Sequence, residues 1–148
     1  MIYTIGEMAK KLGVAPSTLR YYDKEGLLPF VERSKSGIRV FKDSDYAWLQ
    51  IIECLKKTGM QLKNIKLFIE MAMQGDATIE LRLSLIIKQK EAIQKQIAEL
   101  EETLRMLDFK EWYYKTAQEN GSTDIPEHMS LDELPEKFRE VRIKLCGE

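Results

Sequence analysis

The stretch Tyr3-Thr4-Ile5-Gly6-Glu7-Met8-Ala9-Lys10-Lys11-Leu12-Gly13-Val14-Ala15-Pro16-Ser17-Thr18-Leu19-Arg20-Tyr21-Tyr22-Asp23-Lys24-Glu25-Gly26 decides the fold of this chain. Ile5, Met8, Ala9 and Leu12 recur at the i, i+3, i+4, i+7 spacing of one helix face, with Glu7, Lys10 and Lys11 on the other side. Gly13 stands where a left-handed residue commonly ends a helix. Pro16 can open the next one, because the first helical amide needs no intrahelical partner. The second helix is expected over residues 16–25, burying Leu19 and turning Ser17, Thr18, Arg20, Tyr21 and Lys24 outward before Gly26 stops it. Two helices joined by a tight turn result.

Working outward, Phe30-Val31-Glu32-Arg33 and Ile38-Arg39-Val40-Phe41 read as two short strands around the glycine-containing turn Ser34-Lys35-Ser36-Gly37, a wing beside the helix pair. Asp43 or Ser44 can cap a third helix with Trp48, Ile51, Ile52 and Leu55 as its buried stripe, and Gly59 ends it. A fourth helix is expected from about Gln61, burying some combination of Leu62, Ile65, Leu67, Phe68 and Ile69 before Gly75. Two helix-turn-helix units thus flank one hairpin.

From Asp76 to Asn120 there is neither proline nor glycine, which permits one helix of more than ten turns. Leu83, Ile86, Lys90, Ile93, Ile97, Leu100, Leu104 and Leu107 follow one another at alternating steps of three and four, a heptad seam interrupted only by Lys90. A lone helix cannot hide such a stripe from water, so the seam calls for a partner helix, most simply that of a second copy. Gly121-Ser122-Thr123-Asp124-Ile125-Pro126 is a linker by composition. Ser130 and Glu133 have capping-box spacing, ahead of a last short helix whose one face carries Leu134, Phe138, Val141 and Leu145. The expected domains are residues 1–75, a DNA-binding head; 76–118, a dimerisation helix; and 119–148, a linker and short C-terminal helix. The fold class is mainly α.

Composition narrows the function classes. With 44% hydrophobic and 32% charged residues, the chain fits a soluble helical protein with solvated faces. No apolar run approaches the roughly 20 residues that span a bilayer, and the first residues do not read as a signal peptide, so a cytoplasmic location is expected. Cys54 and Cys146 are not in a paired spacing and signal neither a disulfide framework nor a zinc module. The net charge of −1 hides an asymmetry: residues 1–75 hold 12 Lys/Arg against 8 Asp/Glu, a net +4, whereas residues 76–148 hold 11 against 16, a net −5. A basic head carrying an acidic tail suits a nucleic-acid binder. An enzyme is disfavoured, because the single histidine, His128, lies in a linker-like region and no nucleophile elbow or phosphate loop occurs.

The residues Tyr3 to Val14, Thr18-Leu19-Arg20-Tyr21-Tyr22-Asp23, Gly26-Leu27-Leu28-Pro29, the wing residues Arg33, Gly37, Arg39 and Phe41, and Thr58-Gly59-Met60 together resemble the head of the MerR family. The resemblance covers about residues 2–110. It implies a homodimeric, sequence-specific transcriptional regulator whose second helix enters the major groove, whose wing grips flanking backbone, and whose long helices form an antiparallel coiled coil. It also implies distortion of a promoter in response to a signal. The expected DNA-binding set is Thr4, Ser17, Thr18, Arg20, Tyr21, Tyr22, Lys24, Arg33, Lys35, Arg39 and Lys63, with packing beneath the helix as the alternative reading of Tyr22. Arg20 can pair bidentately with a guanine edge or a phosphate. Ala15 departs from the pattern, since a side chain able to cap the helix is often found there.

Implied partners are promoter DNA, a second copy of the chain, RNA polymerase at the promoter and a small electrophile or ligand, without cofactor, metal or membrane. Cys54 stands where aldehyde- and electrophile-responsive members of the family have a single cysteine. The cysteine should flank the core of its helix, with Lys57 one turn on and Glu53 pointing elsewhere. The aromatic cluster of Trp112, Tyr113 and Tyr114 near Phe109 is a second candidate sensor, with helix packing as its other reading. A constitutive architectural DNA binder and a coiled-coil adaptor that binds no DNA are the alternative functions.

Overall fold

A computed structural model describes residues 1–146. Thr4 starts the first helix, α1 (Ile5–Leu12): its hydroxyl accepts the Glu7 amide while the Glu7 carboxylate takes the Thr4 amide at 2.7 Å, a reciprocal capping box. Gly13 ends α1 at φ 79°, where a side chain would be strained, and sends the chain into α2 (Pro16–Lys24). The wing strands are β2 (Glu32–Arg33), shorter at its start than the sequence expectation, and β3 (Arg39–Lys42), shifted by one residue toward the C-terminus. A strand that the apolar pattern does not reveal, β1 (Ile2–Tyr3), pairs with the other side of β3, giving a three-stranded antiparallel sheet in the order β1-β3-β2. Two residues are too few to show a period.

Then follow α3 (Asp43–Lys57), α4 (Leu62–Met73), a 3-10 turn (Gly75–Thr78), the long α5 (Ile79–Asn120), α6 (Asp124–His128) and α7 (Glu136–Cys146). The start of α3 differs from expectation. Asp45, not Asp43 or Ser44, receives the orphan Lys42 amide at 2.8 Å, and Asp43 instead accepts the Tyr3 hydroxyl and the Lys11 ammonium. The buried stripe of α3 is Leu49, Ile52 and Leu55; Ile51 is exposed, and Trp48 is half-buried and stacked on Phe30. In α4, Ile65, Ile69 and Met71 are buried, whereas Leu67 is exposed.

The chain separates into two compact units, Met1–Glu91 and the residues from Ala92 onward. The first unit extends beyond residue 75 because the helix after it bonds back to the head. The Thr78 hydroxyl donates to the Met71 carbonyl at 2.5 Å, and the Gln89 amide donates to the Thr58 carbonyl at 2.8 Å. Its core is built on Met8, Leu19, Tyr22, Leu27, Phe41, Leu49, Ile52, Ile65 and Ile69. The second unit has a smaller core of Phe109, Leu134, Phe138 and Val141, while Leu145, expected on that face, is exposed. Part of the linker is helical, as α6, and the Ser130–Glu133 box closes a turn ahead of α7 rather than capping α7 itself.

Tyr22 is fully buried in the head, with 0% exposure, and its hydroxyl donates to the Glu53 carboxylate of α3 at 2.6 Å. Burial first, and then the anionic Glu53, push its phenol well above the ordinary value of 10.0. A phenol held protonated in the fold but ionisable in the unfolded chain stabilises fully below pH 10 and loses that contribution as pH rises beyond it. Tyr22→Phe is therefore expected to cost about 1–2 kcal/mol at neutral pH, with an alkaline decline shallower than that of wild type. Urea unfolding at pH 7 and between pH 9 and 11 checks both; parallel alkaline declines would place the titration elsewhere.

Candidate nucleic-acid interface

With Leu19 and Tyr22 turned inward, the helical period of α2 turns Ser17, Arg20, Tyr21 and Lys24 outward, and all four are exposed. Thr18 is half-buried beside them. The N-terminus of α2 has no side-chain cap at Ala15, and Pro16 occupies the first turn. Next to this face lies the wing, whose turn is closed by hydrogen bonds between Ser34 and Ile38 and by Gly37 at φ 81°. Lys35 stands exposed at its tip, and Lys63 is exposed in the first turn of α4.

Several expected contacts have other employment. Tyr22 is corrected from DNA contact to core, because its ring is sealed under α2 and its hydroxyl is spent on Glu53. The Thr4 hydroxyl donates to Glu7 at 2.9 Å and so serves its own helix. Arg39 is half-buried: one guanidinium nitrogen donates to the Val31 carbonyl at 2.8 Å and another to the Asp23 carboxylate. Its Nε is buried without a partner among the described residues. Arg33 donates to the Gly37 carbonyl at 2.8 Å and to Asp23 at 3.1 Å, although it remains more exposed than Arg39. Asp23, which the sequence reading leaves unassigned, is thus the meeting point of both wing arginines. An acidic residue inside a basic helix was the available signal.

On the same head, Cys54 is exposed on α3 and lines a cleft of about 360 Å³ with Leu12, Gly13, Val14, Tyr46, Gln50, Glu53 and Lys57. Its accessibility agrees with its place beside the core stripe. Glu53, however, lines the same cleft instead of pointing away, drawn there by its bond to Tyr22. In the second unit, Trp112 and Tyr113 pack around Phe109, with Trp112 also 5.6 Å from the Phe138 ring. Their ring faces are used to fix α7 on α5, while Tyr114 is exposed. The seam residues Leu83, Ile86, Ile97, Leu100, Leu104 and Leu107 are exposed on α5 together with Lys90, and Ile93 is half-buried. Leu100 keeps 68% of its surface.

A family model described as MerR HTH family regulatory protein matches residues 3–72, and one described as MerR, DNA binding matches residues 46–108. A helix-turn-helix transcriptional regulator of Haemophilus influenzae is 46% identical over 136 residues, covering 92% of this chain and 98% of the relative. The chain belongs to the MerR family. Among solved structures, HiNmlR, described as a MerR family regulator lacking the sensor domain and bound to promoter DNA, is 48% identical, covers 84% of this chain and 99% of its own, and superposes with a TM-score of 0.64. A MerR family regulator of Bacillus thuringiensis is 41% identical over 80% of this chain and 99% of its own, with a TM-score of 0.61. This MerR-family chain is a DNA-binding transcriptional regulator, not an enzyme. Among the described residues no helix is long and apolar enough to cross a membrane.

Arg20→Ala is expected to lose about 1–3 kcal/mol on a preferred duplex and to relax sequence discrimination, while binding to random DNA falls less. Anisotropy titrations on both duplexes measure the difference; an equal loss on the two would assign Arg20 to backbone alone.

Proposed function

We propose that the protein acts as a homodimer that places one head on each half of a pseudopalindromic promoter site and distorts the DNA between them when a small electrophile reacts at Cys54. The observation that carries the dimer is the row of apolar side chains from Leu83 to Leu107, left in water on α5 although its spacing is that of a helix–helix seam. Burying one such side chain is worth roughly 1.5–3 kcal/mol, so a pair of seams supplies ample drive for association. In the family pattern the two helices run antiparallel, and Lys90 interrupts the seam as a register-setting polar residue. Ser17, Thr18, Arg20, Tyr21 and Lys24 face the major groove, and Lys35 and Lys63 supply phosphate contacts on either side. RNA polymerase is the partner that reads the altered promoter geometry. A cytoplasmic location follows from that partnership.

The signal is assigned to the head. A relative described as lacking the sensor domain spans most of this chain, which favours a sensor inside the DNA-binding unit. An aldehyde meets an exposed thiol at the mouth of a cleft. Addition forms one carbon–sulfur bond, the carbonyl π pair becomes an alkoxide, and the thiol proton goes to that oxygen, so no oxidant is required. The adduct then occupies space beside Glu53, whose carboxylate holds the Tyr22 hydroxyl of α2.

Two outcomes are expected. Ile97→Asp places a charge in the centre of the seam and should yield monomers that no longer bind a two-half-site duplex; a dimeric mass in light scattering would move the interface elsewhere. Cys54→Ser should bind the duplex as wild type does yet fail to raise transcription when formaldehyde or methylglyoxal is added. Equal induction of both proteins in a promoter-fusion assay would remove Cys54 and return attention to the cluster around Trp112.

A further inference from the structure

We propose that Asp23 is a positioning residue for DNA discrimination: its carboxylate clamps the wing to α2 and withholds two arginines from indiscriminate contact with phosphate. The argument begins with the strand register. Arg33 and Arg39 are paired directly across the β2–β3 ladder, where like charges repel. A hairpin of two and four residues has little stability to set against that repulsion. Asp23 resolves it by accepting from both guanidinium groups, one on each carboxylate oxygen.

Each arginine also holds a wing carbonyl, Arg39 that of Val31 at the base and Arg33 that of Gly37 near the tip. One side chain of α2 therefore fixes both ends of the wing. This role of Asp23 rests on the proposed function, in which α2 and the wing address different parts of a duplex, so that their separation sets which base pairs and phosphates are reached together. A rigid separation rewards the matching site and penalises others, whereas loose cations reward any phosphate.

The charge balance agrees. Lys42 is paired with Glu32 at 2.6 Å, so Lys35 is the one wing cation without an ion-pair partner among the described residues. The wing carries more positive charge in its sequence than it leaves free in the fold.

The test uses the full-length protein and two probes of equal length: a duplex selected from a random pool by the wild-type protein, and a random-sequence duplex. Asp23→Asn keeps the size and removes the charge. Its binding to random duplex is expected to tighten about three- to tenfold at low salt, with a salt slope steeper by about 1 to 2 per head, since each added phosphate contact contributes roughly 0.9. The ratio of selected to random affinity should fall at least tenfold. Asp23→Glu, which retains the charge, should recover part of that ratio.

Equal weakening on both duplexes with an unchanged slope would mean that Asp23 merely supports the fold and would overturn the proposal. Arg33→Gln, at an exposed position that leaves the half-buried Asp23–Arg39 pair in place, provides a control that does not depend on the folding of Asp23→Asn. Its loss of salt slope should be smaller in wild type than in the Asp23→Asn background. The same loss in both would show that Arg33 already reaches phosphate freely and would equally overturn the clamp.

Discussion

The head depends on the burial of one face of a nine-residue helix. Alone, α2 is too short to persist in water, and it opens without a side-chain cap. It persists because Leu19 and Tyr22 are completely enclosed among residues of α1, α3 and α4, and because the Tyr22 hydroxyl, which would be costly to bury unpaired, meets Glu53. Lys56 adds its ammonium 5.3 Å from the centre of the same ring. Once those two side chains are enclosed, the helical period leaves no choice about Arg20, Tyr21 and Lys24. The surface that α2 turns outward is the complement of the surface given to the core.

The second constraint is electrostatic. A DNA-binding surface must collect positive charge, and collected charge repels itself unless anions are placed within it. The head solves this locally: Asp23 sits between Arg33 and Arg39, and Glu32 pairs with Lys42. These acids reduce the net charge on the wing, and they give the cations they pair with defined positions. The Tyr22–Glu53 bond places a further carboxylate at the junction of α2 and the cleft that Cys54 lines, so the face of α2 proposed to meet DNA and the cleft proposed to meet an electrophile are joined through one side chain. The long helix carries the opposite imbalance, an apolar row left largely exposed among the described residues.

Much of this was legible beforehand. The capping box at Thr4 and Glu7, Gly13 as the terminator of α1, Pro16 at the head of α2 and the uninterrupted run through α5 are local devices, and they act as their residue types require. The outward set on α2 also followed from period alone. Where the reading of α3 went astray, local pattern was ambiguous: Trp48-Leu49 and Ile51-Ile52 are adjacent apolar pairs, and period cannot say which member of a pair faces inward. The docking of Phe30 on Trp48 and the packing of Leu49 into the core settle it. In the tail, the aromatic residues near Trp112 read as helix packing as well as a sensor, with the last helix among the candidate partners, and Phe138 of α7 lies against them.

What the sequence by itself determined rests on neighbours three or four residues away: the cap and terminator of α1, the first turn of α2, the unbroken run of α5, the heptad seam, and the family. What only the tertiary structure decided is how polar groups far apart in the chain are used. Tyr22 and Glu53 are 31 residues apart, and Arg39 and Asp23 are 16 apart. A hydroxyl or a guanidinium has the same composition whether it faces water, a phosphate or a buried carboxylate. The choice among them follows from burial, because a polar group enclosed by the fold must find its partner there. Thus Arg20, Arg33 and Arg39 look equally suited to DNA as letters, and only the fold separates the one left free from the two held by Asp23.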